Sequence, residues 1–387
     1  MKGKWFALPA FAATLVLVAT AGGANSNANY RAICPAAPVG AAHCHALVTA
    51  DSNGNPIASS TPLAGSYGPA QFHTGYGLPT TAPSVQTIGI VDAYDDPNIE
   101  NDLAVYDSQY GLPSCTTADG CFRKVDQSGG SNYPRSNSGW SLEIALDVET
   151  AHEICQNCKI LLVEARSNSL ANLGAAVNEA AALGANVISN SYGGSEYSSE
   201  TNDQNAYYNH PGVAITASSG DGGYGVEFPA ASQYVTAVGG TTLELTSSNS
   251  YAGETAWSGS GSGCSAYIAK PSWQSDSGCS GRTVADVSAD ADPSTGAAVY
   301  DSVRYQGQKG WFQVGGTSLA APLIGAVYAL AGNAGSVTYG SYPYAHASSL
   351  HDVTSGSNGS CGSYLCTAGS GYDGPTGLGS PNGTGGF

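Results

Sequence analysis

The amino-acid sequence predicts an α/β fold, a doubly wound and mostly parallel sheet with helices on both faces. Three observations carry that expectation. Short apolar runs such as Thr87-Ile-Gly-Ile-Val-Asp92 have the length of strands buried on both sides. Segments with helical spacing separate successive runs. Gly- and Ser-rich stretches at 189–194, 218–225 and 258–263 follow or connect the strands, where such sheets keep their ligand sites.

Taken in order, residues 1–24 read as a secretory signal. Lys2 and Lys4 precede a mostly apolar stretch over 5–18, and Ala19-Thr20-Ala21 or Gly22-Gly23-Ala24 supplies the small residues of a cleavage site. Residues 25–68 lack apolar periodicity and are rich in Ala, Ser, Asn and Pro. They read as a short N-terminal arm or leader, with order beginning near Tyr67. Residues 69–387 then form one domain. A strand at 87–92 leads into a helix at 98–110, where Ile99, Leu103 and Tyr106 recur at roughly helical spacing. A second helix spans 141–154, and a strand follows at 159–163. The Ala-rich helix 170–183 stops at Gly184. Strands at 186–189, 213–217 and 234–238 come next, the first two separated by a polar, Tyr-rich helical stretch. A helix at 318–330 completes the pattern.

The chain carries a net charge of −17 at pH 7, which argues against nucleic acid as a partner. Only 11% of its residues are charged, so acid finds few native ion pairs to break. Apart from the signal, no segment is long and apolar enough to span a membrane, and none is expected to hold the chain there once the signal is removed. Ten cysteines fall into five near-neighbour pairs: Cys34 and Cys44, Cys115 and Cys121, Cys155 and Cys158, Cys264 and Cys279, Cys361 and Cys366. An even count in an exported chain implies disulfides, and pairing by proximity is the expectation. Cys155-Gln-Asn-Cys158 reads as a local staple, because no second Cys-x-x-Cys or His-x-His stands near it.

The candidate nucleophile is Ser318 in Val314-Gly-Gly-Thr-Ser-Leu-Ala-Ala-Pro322. A tight Gly-Thr turn fixes its hydroxyl, and a helix start supplies free N–H groups that suit a developing oxyanion. None of the seven histidines stands in His-Gly-Thr, the setting of a histidine-dependent triad. His152, on a core helix, reads as a packed side chain. Glu143 and Asp147 on the same helix are better placed. At i and i+4 both carboxylates share one face, beside apolar Leu142, Ala145, Leu146 and Val148. Like charges there repel, and a pair that shares one proton can act as a base at low pH. Asp221, in Ser218-Ser-Gly-Asp-Gly-Gly223, directly follows a buried strand and so lies at the carboxyl edge of the sheet.

Together these motifs resemble the sedolisin family, the serine-carboxyl peptidases. The likeness continues in Ile188-Ser-Asn-Ser-Tyr-Gly-Gly194, in Glu227-Phe-Pro-Ala-Ala231, in Val238-Gly-Gly-Thr-Thr-Leu243, in Asp286-Val-Ser-Ala-Asp-Ala-Asp-Pro293 and in Gly371-Tyr-Asp-Gly-Pro-Thr-Gly-Leu-Gly379. It covers residues 69–387 and implies a subtilisin-like fold and a secreted enzyme that hydrolyses polypeptides in acid. By that resemblance Ser318 is the nucleophile, Glu143 the base, and Asp147 the group that orients Glu143. Asp221 stands where subtilisins place an oxyanion-hole asparagine. The chemistry is coherent. A Glu with a pKa of about 4.3 is poised in acid where an imidazole is mostly protonated, and Asp221 can donate only while it holds a proton. The resemblance also implies one structural Ca²⁺, held by the side chains of Asp352 and Asp373 and the carbonyls of Val353, Gly369 and Gly371. Ser191, Tyr192 and Gly193 form the extended edge that pairs with substrate backbone. A monomer is expected. The competing reading is a non-catalytic, secreted peptide-binding protein that kept the fold.

Overall fold

A computed structural model describes residues 29–387; the signal expected at 1–24 lies outside them. The described chain opens with three short strands, β1 (Asn29–Ala32), β2 (His43–Cys44) and β3 (Leu47–Ala50). Then come α1 (Pro69–Tyr76), β4 (Thr87–Ala93), α2 (Ile99–Tyr110), β5 (Phe122–Asp126) and α3 (Ser138–Ile154). They are followed by β6 (Lys159–Ala165), α4 (Leu170–Ala182), β7 (Val187–Asn190), β8 (Tyr192–Ser195) and α5 (Glu200–Tyr207). Next are β9 (Ala214–Ser218), β10 (Glu227–Phe228), β11 (Thr236–Leu245) and β12 (Tyr251–Ala256). A hairpin of β13 (Gly263–Ala269) and β14 (Gly281–Val284) precedes β15 (Val287–Asp290). The hairpin β16 (Ala297–Tyr305) and β17 (Gln308–Gly315) leads into α6 (Thr317–Ala331).

The main sheet runs β12-β11-β9-β7-β4-β6-β5, with β15 also beside β11. Its pairings are parallel except β11 with β12. Beyond Thr87, every residue of β4 is buried, as a strand covered on both faces requires. Helix α4 packs on β4 and β6. Its small residues allow that: a Cβ on Gly89 of β4 would stand 3.2 Å from the Cβ atoms of Ala180 and Ala185. Helices α3 and α6 pack on each other, and both touch β4. Helix α3 starts earlier than the sequence suggests, because the Asn137 side chain accepts hydrogen bonds from the Gly139 and Trp140 N–H groups, a cap that stabilises a helix by about 1 kcal/mol. From Gly139 to Ile154 every residue of α3 is buried, so its acidic residues face protein on all sides.

Order does not begin near Tyr67. Strand β1 pairs with β3, which pairs with β17 in a second sheet of order β1-β3-β17-β16. Strand β2 pairs with β8, which also pairs with β10. Backbone pairing and a Cys34–Cys44 disulfide hold this segment, and neither leaves a side-chain period to read. The other cysteines also pair with their sequence neighbours. Among the described residues, no helix is long and apolar enough to cross a membrane.

Candidate active site

Helix α3 brings Glu143 and Asp147 under the carboxyl edge of the sheet, and the end of β4 adds Asp92. Ligand oxygens of the three lie within 4.8 Å of one another. All three residues are fully buried, and none of their carboxylate oxygens has a hydrogen-bond partner in the protein. Burial, and then the charge of Asp92, push the pKa values of Glu143 and Asp147 well up. Burial alone raises that of Asp92 to about 8. The three therefore titrate as one set that keeps protons between them. The Ser318 hydroxyl acts in the opposite sense on Glu143, although in this conformer it donates to the Ser191 carbonyl at 3.0 Å. Sequence reasoning missed Asp92. The available signal was an acid closing an apolar strand, the same signal that singled out Asp221.

Ser318 is the second residue of α6. The turn before it needs glycine: Gly316 has φ +101°, and a Cβ there would fall within 2.5 Å of both the His45 carbonyl oxygen and Asp221 Oδ2. These two oxygens are therefore neighbours. Asp221 Oδ1 accepts from the Thr317 N–H at 2.8 Å and the Thr317 hydroxyl at 2.9 Å. The residue is half-exposed, but Oδ2 is shut off from solvent and has no partner. Burial raises the Asp221 pKa to about 7, against the pull of His45 and of the Thr317 hydrogen bonds. In acid Asp221 is thus neutral, with a hydroxyl free to donate beside the start of α6.

Ser191, Tyr192 and Gly193 lie at the end of β7 and the start of β8, and this chain's own arm covers them. The Ser191 carbonyl accepts from the His45 N–H at 3.2 Å. Cys44 pairs with Tyr192 and His43 with Gly193. The His45 carbonyl accepts from the Ser318 N–H at 2.8 Å. The His45 ring is buried, with Nδ1 at 2.7 Å from the Ser218 hydroxyl and Nε2 at 3.0 Å from Glu227. Both ring nitrogens are committed, so His45 is not placed to serve Ser318 as a base. His152 is also engaged, with Nε2 at 2.9 Å from the Pro113 carbonyl and 3.3 Å from Asp107.

Asp352 and Asp373 converge on one loop. Asp352 Oδ2 accepts from the Gly371 N–H and Asp373 Oδ2 from the Gly369 N–H, each at 2.9 Å. Val353 is buried next to Asp352. Burial raises the Asp373 pKa to about 7, and the charge of Asp352 adds to that. Carboxylate oxygens are the donors a hard cation takes, and the two groups meet at the backbone of residues 369–371.

The buried carboxyls set how stability follows pH. Asp92, Asp221 and Glu153, the last also buried and raised to about 8, keep protons in the folded chain that the unfolded chain loses near its ordinary values of about 4. The stability this gives is whole below about pH 4 and drains away as pH rises through 7 to 8. The melting temperature should therefore fall between pH 4 and pH 8 by on the order of 5–10 °C. Thermal melts at constant ionic strength check this, and a flat or rising profile would contradict it.

A sequence profile of the Subtilase family matches residues 76–337. Sedolisin of Pseudomonas sp. (strain 101) is 33% identical over 382 residues, covering 84% of this chain and 62% of its own length. Kumamolisin of Bacillus sp. (strain MN-32) is 31% identical over 350 residues, covering 79% of this chain and 60% of its own length. The chain thus spans about three-fifths of these relatives. The structure of Pseudomonas sedolisin, a serine-carboxyl proteinase complexed with two molecules of pseudo-iodotyrostatin, superposes with a TM-score of 0.68 at 31% identity, over 84% of this chain and 96% of that one. The buried carboxyl set, the serine at the head of α6 and these likenesses agree: the chain belongs to the Subtilase family, and within it to the sedolisins, the serine-carboxyl peptidases.

Proposed function

We propose that this chain is an exported serine-carboxyl peptidase that cleaves polypeptides in acid. The observation that carries the reading is the placement of Ser318, at the head of α6 and next to a buried carboxyl set with no histidine in it. Ser318 Oγ attacks the peptide carbonyl carbon and passes its proton to Glu143 in the fraction of chains whose coupled carboxyl set has released one proton, since burial favours the protonated form. The oxyanion takes the Ser318 N–H and the protonated Oδ2 of Asp221. Glu143 returns the proton to the leaving amine as the carbon–nitrogen bond breaks. Water then cleaves the acyl ester by the same route and restores the serine. Asp147 and Asp92 set how readily Glu143 accepts a proton. Substrate backbone lies along Ser191, Tyr192 and Gly193 by strand pairing.

The test is hydrolysis of a denatured protein across about pH 2.5–8, with Ser318→Ala alongside. Activity confined to acid and absent in the variant is the expected result. A neutral optimum would return attention to the histidines. A folded chain inactive at every pH would favour a non-catalytic, peptide-binding protein.

Asp352 and Asp373, with the carbonyls of Val353, Gly369 and Gly371, would hold one Ca²⁺, which supplies structure and no chemical step. Chelation should then lower the melting temperature by about 5 °C or more, and Asp373→Asn should remove the dependence on added calcium. An unchanged melt with and without chelator would count against the site.

A further inference from the structure

Strand β8 lies between β2 and β10. His43 of β2 stands opposite Gly193 of β8, and Glu227 of β10 stands opposite Ser195. Two backbone spacings, about 10 Å, separate the outer strands. Their side chains meet because the middle strand leaves them room: a Cβ on Gly193 would fall 2.6 Å from His45 Cε1, 2.8 Å from Glu227 Oε2 and 3.0 Å from His45 Nε2. His43 and His45 are two residues apart on an extended segment, so both rings share that face. Cys44 between them takes the other face and is held in its disulfide with Cys34. The two rings meet edge to face with centroids 5.0 Å apart. Nε2 of His45 lies 3.0 Å from Glu227 Oε2, and Nε2 of His43 lies 4.0 Å from Oε1. One donor atom from each of the three residues is within 4.8 Å of the other two.

The hydrogen bonds decide which nitrogen of His45 is free. The Ser218 hydroxyl donates to the Asn190 carbonyl at 3.4 Å, so it accepts from His45 Nδ1–H at 2.7 Å. Nε2 then carries the lone pair and faces a carboxylate oxygen, a contact that needs a positive charge between the two atoms. A proton satisfies that pair alone. A metal ion satisfies it and takes His43 as well. We infer that His43, His45 and Glu227 form a binding site for one divalent ion of the Zn²⁺ class. Two imidazoles and one carboxylate are a donor set that selects such an ion over Ca²⁺ or Mg²⁺. Donors on one tetrahedral Zn²⁺ stand about 3.4 Å apart, so small side-chain rotations gather all three. The side chains of His43 and Glu227 are 27% and 22% accessible, which gives the ion an approach from solvent and leaves a coordination position for water. Ser218 holds the His45 ring in place from behind, as outer partners of ligating histidines do. The bound ion ties β2 to β10 across β8. The site stands on these contacts and does not depend on the peptidase reading.

The test uses the full chain carrying Ser318→Ala, so that no peptide bond is cut during the measurement. It is freed of metal by chelation and held with excess Ca²⁺ at about pH 7.5, where imidazole is mostly neutral. Calorimetric titration with ZnCl₂ should show one Zn²⁺ per chain. Zn²⁺ at about 100 times its Kd should raise the melting temperature by about 3 °C or more. Co²⁺ in its place should give visible absorption more intense than that of the aqueous ion. His43→Ala and Glu227→Gln should each weaken binding at least about tenfold, the least that even an outer-shell partner is worth. His346→Ala, whose ring stacks on Tyr342 instead, should leave the affinity unchanged. Circular dichroism checks that each variant is folded. His43 is partly exposed, so His43→Ala decides the matter even where Glu227→Gln does not fold. No zinc binding, or an affinity unchanged in folded His43→Ala, would overturn the inference and leave the peptidase reading in place. That reading is lost only if the parent chain hydrolyses nothing, a result that says nothing against the metal site.

Discussion

Replacing Glu143 by Gln is expected to lower turnover by about 10⁴-fold or more, the scale on which serine hydrolases lose activity when one partner of the nucleophile is removed. The amide keeps the shape of the side chain and cannot accept the serine proton. Its site is fully buried and offers no hydrogen-bond partner to the carboxyl oxygens, so a neutral amide does not forfeit an ion pair there. Circular dichroism and a melt should show a folded chain. The control is His152→Ala. It leaves Asp107 and the Pro113 carbonyl without their partner, so stability drops by about 1–3 kcal/mol, while the pH profile of turnover stays where it was. A Glu143→Gln enzyme with more than a tenth of parental kcat would remove Glu143 from the mechanism. A His152→Ala enzyme that is folded and inactive would put a histidine back into it.

Asp221 gives the second large effect, and its direction depends on pH. Asp221→Ala removes one of two oxyanion donors and should cost about 10²–10³ in kcat. Asp221→Asn is more informative. Parental Asp221 donates only below its raised pKa of about 7, so activity that depends on it must fade as the group ionises. The asparagine N–H donates at every pH. The remaining activity of Asp221→Asn should therefore reach further towards neutral pH than that of the parent. The acid limb, set by ionisation of the Glu143, Asp147 and Asp92 group, should stay in place. Parent and variant profiles with the same alkaline limb would mean that Asp221 is not the titrating donor.

Much of this was legible in the sequence because it is local. The apolar run at 87–92, the i and i+4 spacing of Glu143 and Asp147, and the Gly-Thr-Ser turn before an apolar helix each state their geometry within a few residues. Asp92 was hidden for the opposite reason. It ends an apolar strand as an ordinary punctuation residue would, and only the parallel register of the sheet sets it beside α3. The arm was hidden more completely. Its place is fixed by backbone pairing to β8 and β17, and a backbone ladder leaves no mark on side-chain composition. His45 therefore looked like one more histidine outside any motif. Its pocket is assembled from Ser218 and Glu227, both far along the chain, and no spacing rule connects them.

Strand β1 has a second consequence. It covers β3 along four register pairs, from Asn29 with Ala50 to Ala32 with Leu47. A variant that begins after Ala32 keeps β3 and loses this cover. The freed N–H and C=O groups of β3 then form an open sheet edge, a template for any extended strand that meets it. Strand β1 is therefore a guard against aggregation. Preparations of that shortened chain should be prone to edge-to-edge self-association that the chain with β1 resists.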